Sequence, residues 1–193
     1  LASAIMDASG RAEVEDPPII QTASREIDLK LRRFPEVETA KQGLREAERK
    51  YEEAKTSGAA RSEVRSLECD LFGAEETATL ATAACDGRVE QYAESCLPAE
   101  IQGIRLGDRV IIAWPGEHFV EFALEVKSAV ENTYLISLAN GELQGYIVTE
   151  EAVANKRYEA SNALFDPANS RLFVDNSIEL ARTLLTSHRA YQS

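Results

Sequence analysis

Residues 106–119, Leu-Gly-Asp-Arg-Val-Ile-Ile-Ala-Trp-Pro-Gly-Glu-His-Phe, decide how the second half of this chain folds. Leu106 to Arg109 has the composition of a tight turn, and Val110 to Trp114 is a continuous apolar run of strand length. Together with the alternating segment before them, they predict a β-hairpin whose second strand is buried. Pro115-Gly116 ends that strand, and the carboxylate of Glu117 follows at once. This acid is either a first-turn helix residue that the helix dipole stabilises or a ligand at the rim of the sheet.

Strands and helices alternate on the C-terminal side of this stretch. Residues 117–130 predict an amphipathic helix, and Thr133 to Ala139 predict a second apolar strand. A short helix follows with Thr149 as its N-cap, and a last helix covers about residues 170–188. We interpret His188, near the end of that helix, as structural. The sequence therefore predicts an α/β or α+β fold, a layered mixed sheet with flanking helices.

The N-terminal side adds one strand and a helical insertion. Ser24 to Arg33 alternates apolar and charged residues, which predicts a half-buried strand. Residues 35–95 predict a helical hairpin, with helices near 35–57 and 61–92. We interpret the charged outer face of the hairpin as a solvated surface.

Composition and charge exclude several classes of function. The chain has 193 residues and a formal net charge of -12, which disfavours a nucleic-acid partner. No apolar run approaches the roughly 18 residues of a membrane span, so we expect no transmembrane segment. Common nucleotide-binding and hydrolase motifs are absent. The three cysteines, Cys69, Cys85 and Cys96, show no paired spacing, which favours reduced, structural thiols. Leu1 begins a segment typical of a helix interior, so we expect a longer parent, and localisation is not indicated.

A series of short motifs, each at the edge of a predicted element, resembles the neutral/alkaline (non-lysosomal) ceramidase family. The likeness is to the C-terminal part of a short bacterial member. The motifs are Gly107 to Ile112 leading into Pro115-Gly116-Glu117, then Leu138 to Gly141, Gly145 to Ile147, and Arg157 to Ala160. The resemblance implies that residues 1–193 form the C-terminal part of one catalytic domain. Residues 35–95 would be an inserted hairpin, and residues 96–193 would carry the site.

The resemblance also implies a reaction and its residues. Ceramidases of this family are zinc-dependent hydrolases that cleave an N-acyl amide such as ceramide into a fatty acid and an amine. By this likeness Glu117 and Tyr146 are zinc ligands, and Tyr158 lies beside the scissile amide as a donor to the oxyanion. The histidine ligands would come from the N-terminal half of the parent or from a separate chain, and the substrate would be a small amphipathic N-acyl compound. His118 is not expected to be a ligand, because adjacent residues at a helix start point about 100° apart.

A second hypothesis assigns no catalysis to the chain. In it the protein is a non-enzymatic interaction or scaffold module, and the charged hairpin binds a partner. Glu117 would then be only a helix-start acid, and Tyr146 and Tyr158 would point into a closed core.

Overall fold

The computed structural model describes residues 1–13 and 19–186, which form eight helices and six strands. The helices are α1 (Ala2–Gly10), α2 (Val37–Ser57), α3 (Arg61–Cys85), α4 (Arg88–Cys96), α5 (Val120–Ala129), α6 (Glu150–Ala154), α7 (Tyr158–Ser161) and α8 (Asn169–Thr186). The strands are β1 (Ile20–Ile27), β2 (Ala99–Leu106), β3 (Arg109–Ala113), β4 (Glu117–His118), β5 (Thr133–Ile136) and β6 (Tyr146–Ile147). The predicted fold class, a mixed sheet with flanking helices, is confirmed. His188 lies outside the described residues.

The predicted hairpin is the centre of the main sheet. Strands β2 and β3 pair antiparallel, and Leu106 opposite Arg109 closes the turn. Gly107 has φ +62°, a left-handed conformation that a tight turn requires and glycine adopts without cost. The four strands lie in the order β1-β2-β3-β5, with β3 and β5 parallel and the other pairs antiparallel. Ile112 and Trp114 are fully buried, as the apolar run predicts.

One face of this sheet is covered by helices α8 and α5. Helix α8 contacts β1, β2 and β3, while α5 packs against β5 and α8. The close approach of α8 depends on Gly103, where an added Cβ would lie 2.7 Å from Cδ1 of Leu184. Deeper in this layer, Nε1 of Trp114 donates a 2.8 Å hydrogen bond to Oγ of Ser177, which satisfies both buried polar groups.

The opposite face of the sheet is more exposed. Ile104 and Ile111 are only partly buried there, and Tyr134 and Ile136 on β5 are 47% and 49% exposed. A parallel pair of strands is normally covered on both faces. This face therefore presents an apolar surface that is available for packing.

The helical hairpin is confirmed in its first part and corrected in its second. Helices α2 and α3 pack against each other, joined by a turn in which Gly58 has φ +72°. The second helix predicted to residue 92 is divided, because Gly87 adopts a left-handed φ of +74° after Cys85. The resulting helix α4 places Val89 in the main core instead of the hairpin. Helix α3 also contacts α7, which sets the hairpin beside the candidate site.

Other predicted boundaries shift by a few residues. Strand β1 begins at Ile20 and ends at Ile27, while Leu31 forms only an isolated bridge with Phe165. The N-cap at Thr149 is confirmed, since its Oγ1 accepts from the amide of Ala152 at 3.1 Å. None of the described helices combines the length and apolar character that crossing a bilayer requires.

Candidate functional site

Glu117 lies in the two-residue strand β4, so the prediction of a helix start at this position is wrong. Gly116 has φ +82°, and this left-handed residue turns the chain out of β3. Strand β4 then pairs in parallel with β6, and the register places Glu117 opposite Tyr146. Paired strands lie about 4.8 Å apart and their matched side chains leave the same face. The two predicted metal ligands are therefore neighbours, and helix α5 begins only at Val120.

His118 points away from Glu117, because successive side chains of a strand lie on opposite faces. Its ring packs between Trp114 and Phe173, with centroid distances of 4.6 and 4.4 Å. Its Nε2 donates to the carbonyl oxygen of Pro115 at 2.8 Å. Burial lowers the pKa of His118 to about 4, against the opposing effect of that hydrogen bond. His118 is thus a neutral core residue whose side chain lies on the face opposite Glu117.

Tyr146 stands in an electrostatically negative part of the site. Burial is the largest effect raising the pKa of its phenol, and the charge of Glu117 is the next. Tyr158 and Glu159 raise the pKa further, so their side chains lie within electrostatic reach of Tyr146. In the chain alone Tyr146 is therefore a protonated donor at neutral pH. A divalent cation beside the phenol would act in the opposite direction and favour the phenolate.

Tyr158 is the first residue of α7, and the residue is 42% exposed. The short helix is held by Arg32, whose guanidinium donates to the carbonyl oxygens of Ala160 at 3.0 Å and Ser161 at 2.8 Å. The guanidinium also lies over the Phe34 ring at 4.8 Å from its centroid. Because a four-residue helix has little stability of its own, these contacts hold the backbone of α7, which carries Tyr158.

The loop before β6 is fixed between α4 and α7. The Tyr92 hydroxyl accepts a hydrogen bond from the amide of Gln144 at 2.7 Å. Gly145 follows with φ +80°, and a Cβ added there would lie 2.1 Å from the carbonyl oxygen of Asn162, just beyond α7. Only glycine permits this approach. The position of Tyr146 is therefore coupled to α7 through backbone contact.

A cleft of about 760 Å³ opens beside Tyr158. Its walls come mainly from α2 and α3 of the hairpin, from the segment that joins α6 to α7, and from α7 itself. Tyr158 thus lines a cleft large enough for a small organic molecule and also lies within electrostatic reach of Tyr146.

Glu117 and Tyr146 fit part of a zinc site. A catalytic zinc ion takes about three protein ligands and keeps a further position for water. Within residues 1–13 and 19–186, no three His, Cys, Asp or Glu side chains cluster closely enough to hold an ion. Glu117 and Tyr146 alone would therefore be only a partial ligand set for such an ion.

Sequence reasoning did not identify Arg32 or Asn162 as parts of the site. Arg32 was assigned only to the polar face of a strand, and its partners lie 128 and 129 residues away. The loop from Asn140 to Tyr146 does carry a signal, because two glycines within five residues are typical of a loop with unusual backbone angles. Gly141 and Gly145 have φ values of +130° and +80°.

Comparisons with known proteins give one distant similarity. No family model matches the chain, and no curated protein matches it. Among solved structures, the chain is similar to the neutral ceramidase from Pseudomonas aeruginosa, with 22% sequence identity and a TM-score of 0.33. The match covers 45% of this chain and 15% of that protein. This level of similarity does not show family membership, so the function rests on the site residues.

Proposed function

We propose that this chain supplies part of the active site of a zinc-dependent amide hydrolase of the neutral ceramidase type. The reaction would split an N-acyl amide such as ceramide into a fatty acid and an amine. The observation that carries the proposal is the pairing of Glu117 with Tyr146 across β4 and β6, with Tyr158 within electrostatic reach of Tyr146. A carboxylate and two phenols in one accessible region suit metal binding and oxyanion stabilisation.

Glu117 and Tyr146 would hold the ion through their side-chain oxygens. When bound, Zn²⁺ supplies Lewis-acid polarisation of the amide carbonyl and lowers the pKa of a bound water. Glu117 is exposed and so can meet ligands from another segment. Because the pKa of Tyr146 is raised in the chain alone, coordination through its phenolate would release a proton. Zinc affinity should therefore increase with pH.

Tyr158 would donate a hydrogen bond to the oxyanion that develops on the amide carbonyl. This role needs a donor whose position is fixed before the reaction. The hydrogen bonds from Arg32 to the last carbonyls of α7 hold the backbone that carries this donor. Removal of one such donor typically lowers kcat by about 10²–10³.

The remaining ligands would be histidines from the N-terminal part of a longer parent or from a separate chain. His118, the one histidine among the described residues, faces the core. The exposed apolar face of the sheet, with Tyr134 and Ile136, is suited to packing against such a segment.

Zinc content tests the ligand assignment. The longest form of the protein that contains the histidine-bearing segment would be dialysed against zinc, and the bound metal would be measured by mass spectrometry. We expect Glu117→Ala and Tyr146→Phe to lose zinc, while Glu121→Ala, an exposed acid three residues from β4, retains it. Tyr158→Phe should retain zinc and lose amide hydrolysis.

The same measurements separate the two hypotheses. Equal zinc content in all of these variants would contradict the metal site. A protein that takes up no zinc but binds a partner through the charged face of α2 and α3 would instead be the interaction or scaffold module.

A further inference from the structure

The cleft beside Tyr158 carries charges that a ceramide would not use. Resting on the proposed amide hydrolysis, we infer that the substrate of this site is an N-acyl amino acid. Its acyl chain would lie in the cleft between the hairpin and α7, and its carboxylate would be bound by Lys156 and Arg157.

Lys156 and Arg157 immediately precede Tyr158. Lys156 lines the cleft, and both cations line a second depression that shares Lys156 and Tyr158 with the cleft. Both are exposed, and within the described part of the chain neither forms an ion pair. Arg65, on the same surface, is instead occupied by Glu68. Two free cations side by side contrast with the net charge of -12 of the chain.

Hydrogen bonds hold the backbone of Lys156 and Arg157. Lys156 has φ +50°, a left-handed conformation that ends α6. The amide of Lys156 donates to the carbonyl oxygen of Val153 at 3.1 Å, and that of Arg157 donates to Ala152 at 2.9 Å. The turn is therefore hydrogen-bonded, and the chain enters α7 directly from it.

The remainder of the cleft suits a slender apolar chain. Its walls include four small residues of α2 and α3, namely Ala40, Gly43, Gly73 and Ala74. At Gly73 an added Cβ would lie 2.9 Å from Oγ of Ser161, so a larger residue would close the gap between α3 and α7. A volume of about 760 Å³ leaves room for an acyl chain next to Lys156.

The geometry of an N-acyl amino acid matches the order of these residues. Its carboxylate is attached to the carbon next to the amide nitrogen, and so lies only a few ångströms from the scissile bond. Arg157 and Tyr158 both line the second depression, which is where the carboxylate and the amide carbonyl would lie. Asp70 and Glu159 also line this surface, and their negative charges weaken its attraction for the substrate carboxylate. A guanidinium and an ammonium nevertheless provide charge-assisted hydrogen bonds to the carboxylate.

Binding of a matched pair of probes tests this substrate class without requiring zinc or turnover. N-dodecanoyl-glycine carries the carboxylate, and N-dodecanoyl-glycinamide is its neutral isostere. Dissociation constants would be measured by titration calorimetry, below the concentration at which the probes form micelles. We expect the anionic probe to bind about tenfold more tightly, as two partly exposed ion pairs allow, and added salt to reduce this preference.

Variants assign the preference to the two cations. Lys156→Gln and Arg157→Gln should each weaken binding of the anionic probe and leave that of the neutral probe unchanged. Arg182→Gln, an exposed cation on α8 that does not line the cleft, is the matched control, and melting curves verify that each variant folds. The inference would be overturned if the wild-type protein bound both probes with equal affinity or bound neither. It would also be overturned if Lys156→Gln and Arg157→Gln both kept the preference for the anionic probe. If the wild-type protein preferred the anionic probe but hydrolysed no amide, that result would contradict only the proposed function.

Discussion

The contact between Gly145 and Asn162 makes a quantitative prediction about how Tyr146 is positioned. In Gly145→Ala the new Cβ would lie 2.1 Å from the backbone oxygen of Asn162, whereas ordinary van der Waals contact begins near 3.4 Å. Either the loop or the end of α7 must therefore move by about 1.3 Å (3.4 − 2.1). Neither atom belongs to a flexible side chain, so the shift extends to the backbone on both sides.

Two costs add in this variant. Alanine at φ +80° is less stable than glycine by about 1–2 kcal/mol. Forcing atoms into an occupied site typically costs a further 1–3 kcal/mol. We expect Gly145→Ala to lower the free energy of unfolding by about 3 kcal/mol, measured by urea denaturation with linear extrapolation.

Gly58→Ala is the matched control, because Gly58 has φ +72° with nothing within 4 Å of its added Cβ. Gly58→Ala also places alanine at a positive φ and also restricts the unfolded chain, but its Cβ meets no other atom. It should therefore lower the free energy of unfolding by only about 1 kcal/mol. A loss in Gly145→Ala no greater than in Gly58→Ala would refute the claim that β6 and α7 are held by this contact. Amide hydrogen exchange should quicken in α7 for Gly145→Ala and stay unchanged there for Gly58→Ala.

Three further predictions concern the surrounding framework. Burial lowers the pKa of His118 from 6.5 to about 4, so between pH 6.5 and pH 4 the unfolded chain binds more protons than the folded chain. The free energy of unfolding should therefore fall by up to about 3 kcal/mol as the pH decreases from 6.5 to 4. In urea denaturation measured across this pH range, His118→Phe should show a smaller fall. Arg32→Lys should cost about 1–3 kcal/mol, because lysine lacks the planar fork that reaches two carbonyls, and hydrogen exchange in α7 should quicken. Trp114→Phe leaves the fully buried Ser177 hydroxyl without its hydrogen-bond donor and should lower the free energy of unfolding by at least about 1–3 kcal/mol. The double variant Trp114→Phe/Ser177→Ala should recover part of this loss.

The sequence predicted the hairpin of β2 and β3 because every interaction that defines it is local. A turn at Gly107 and an apolar run from Val110 are visible within ten residues. The end of the second hairpin helix was missed, because a residue such as Gly87 can occur within a helix or end it. The helix ends before Gly87 because Val89 packs in the main core. That contact cannot be seen in the local sequence pattern. The roles of Arg32 and Gly145 were likewise invisible, since both depend on carbonyls of residues distant in sequence.

The pair Glu117-His118 shows how a distant partner determines local structure. Phe119, Phe122 and Val126 have helical spacing, which made a helix from residue 117 a reasonable prediction. Pairing with Tyr146 and Ile147 instead draws residues 117 and 118 into a strand. A helix start would have separated these two side chains by about 100°, whereas the strand sends them to opposite faces. His118 is thereby buried between Trp114 and Phe173, and this burial holds Glu117 outward beside Tyr146. The core contact of one residue thus sets the accessibility of the other.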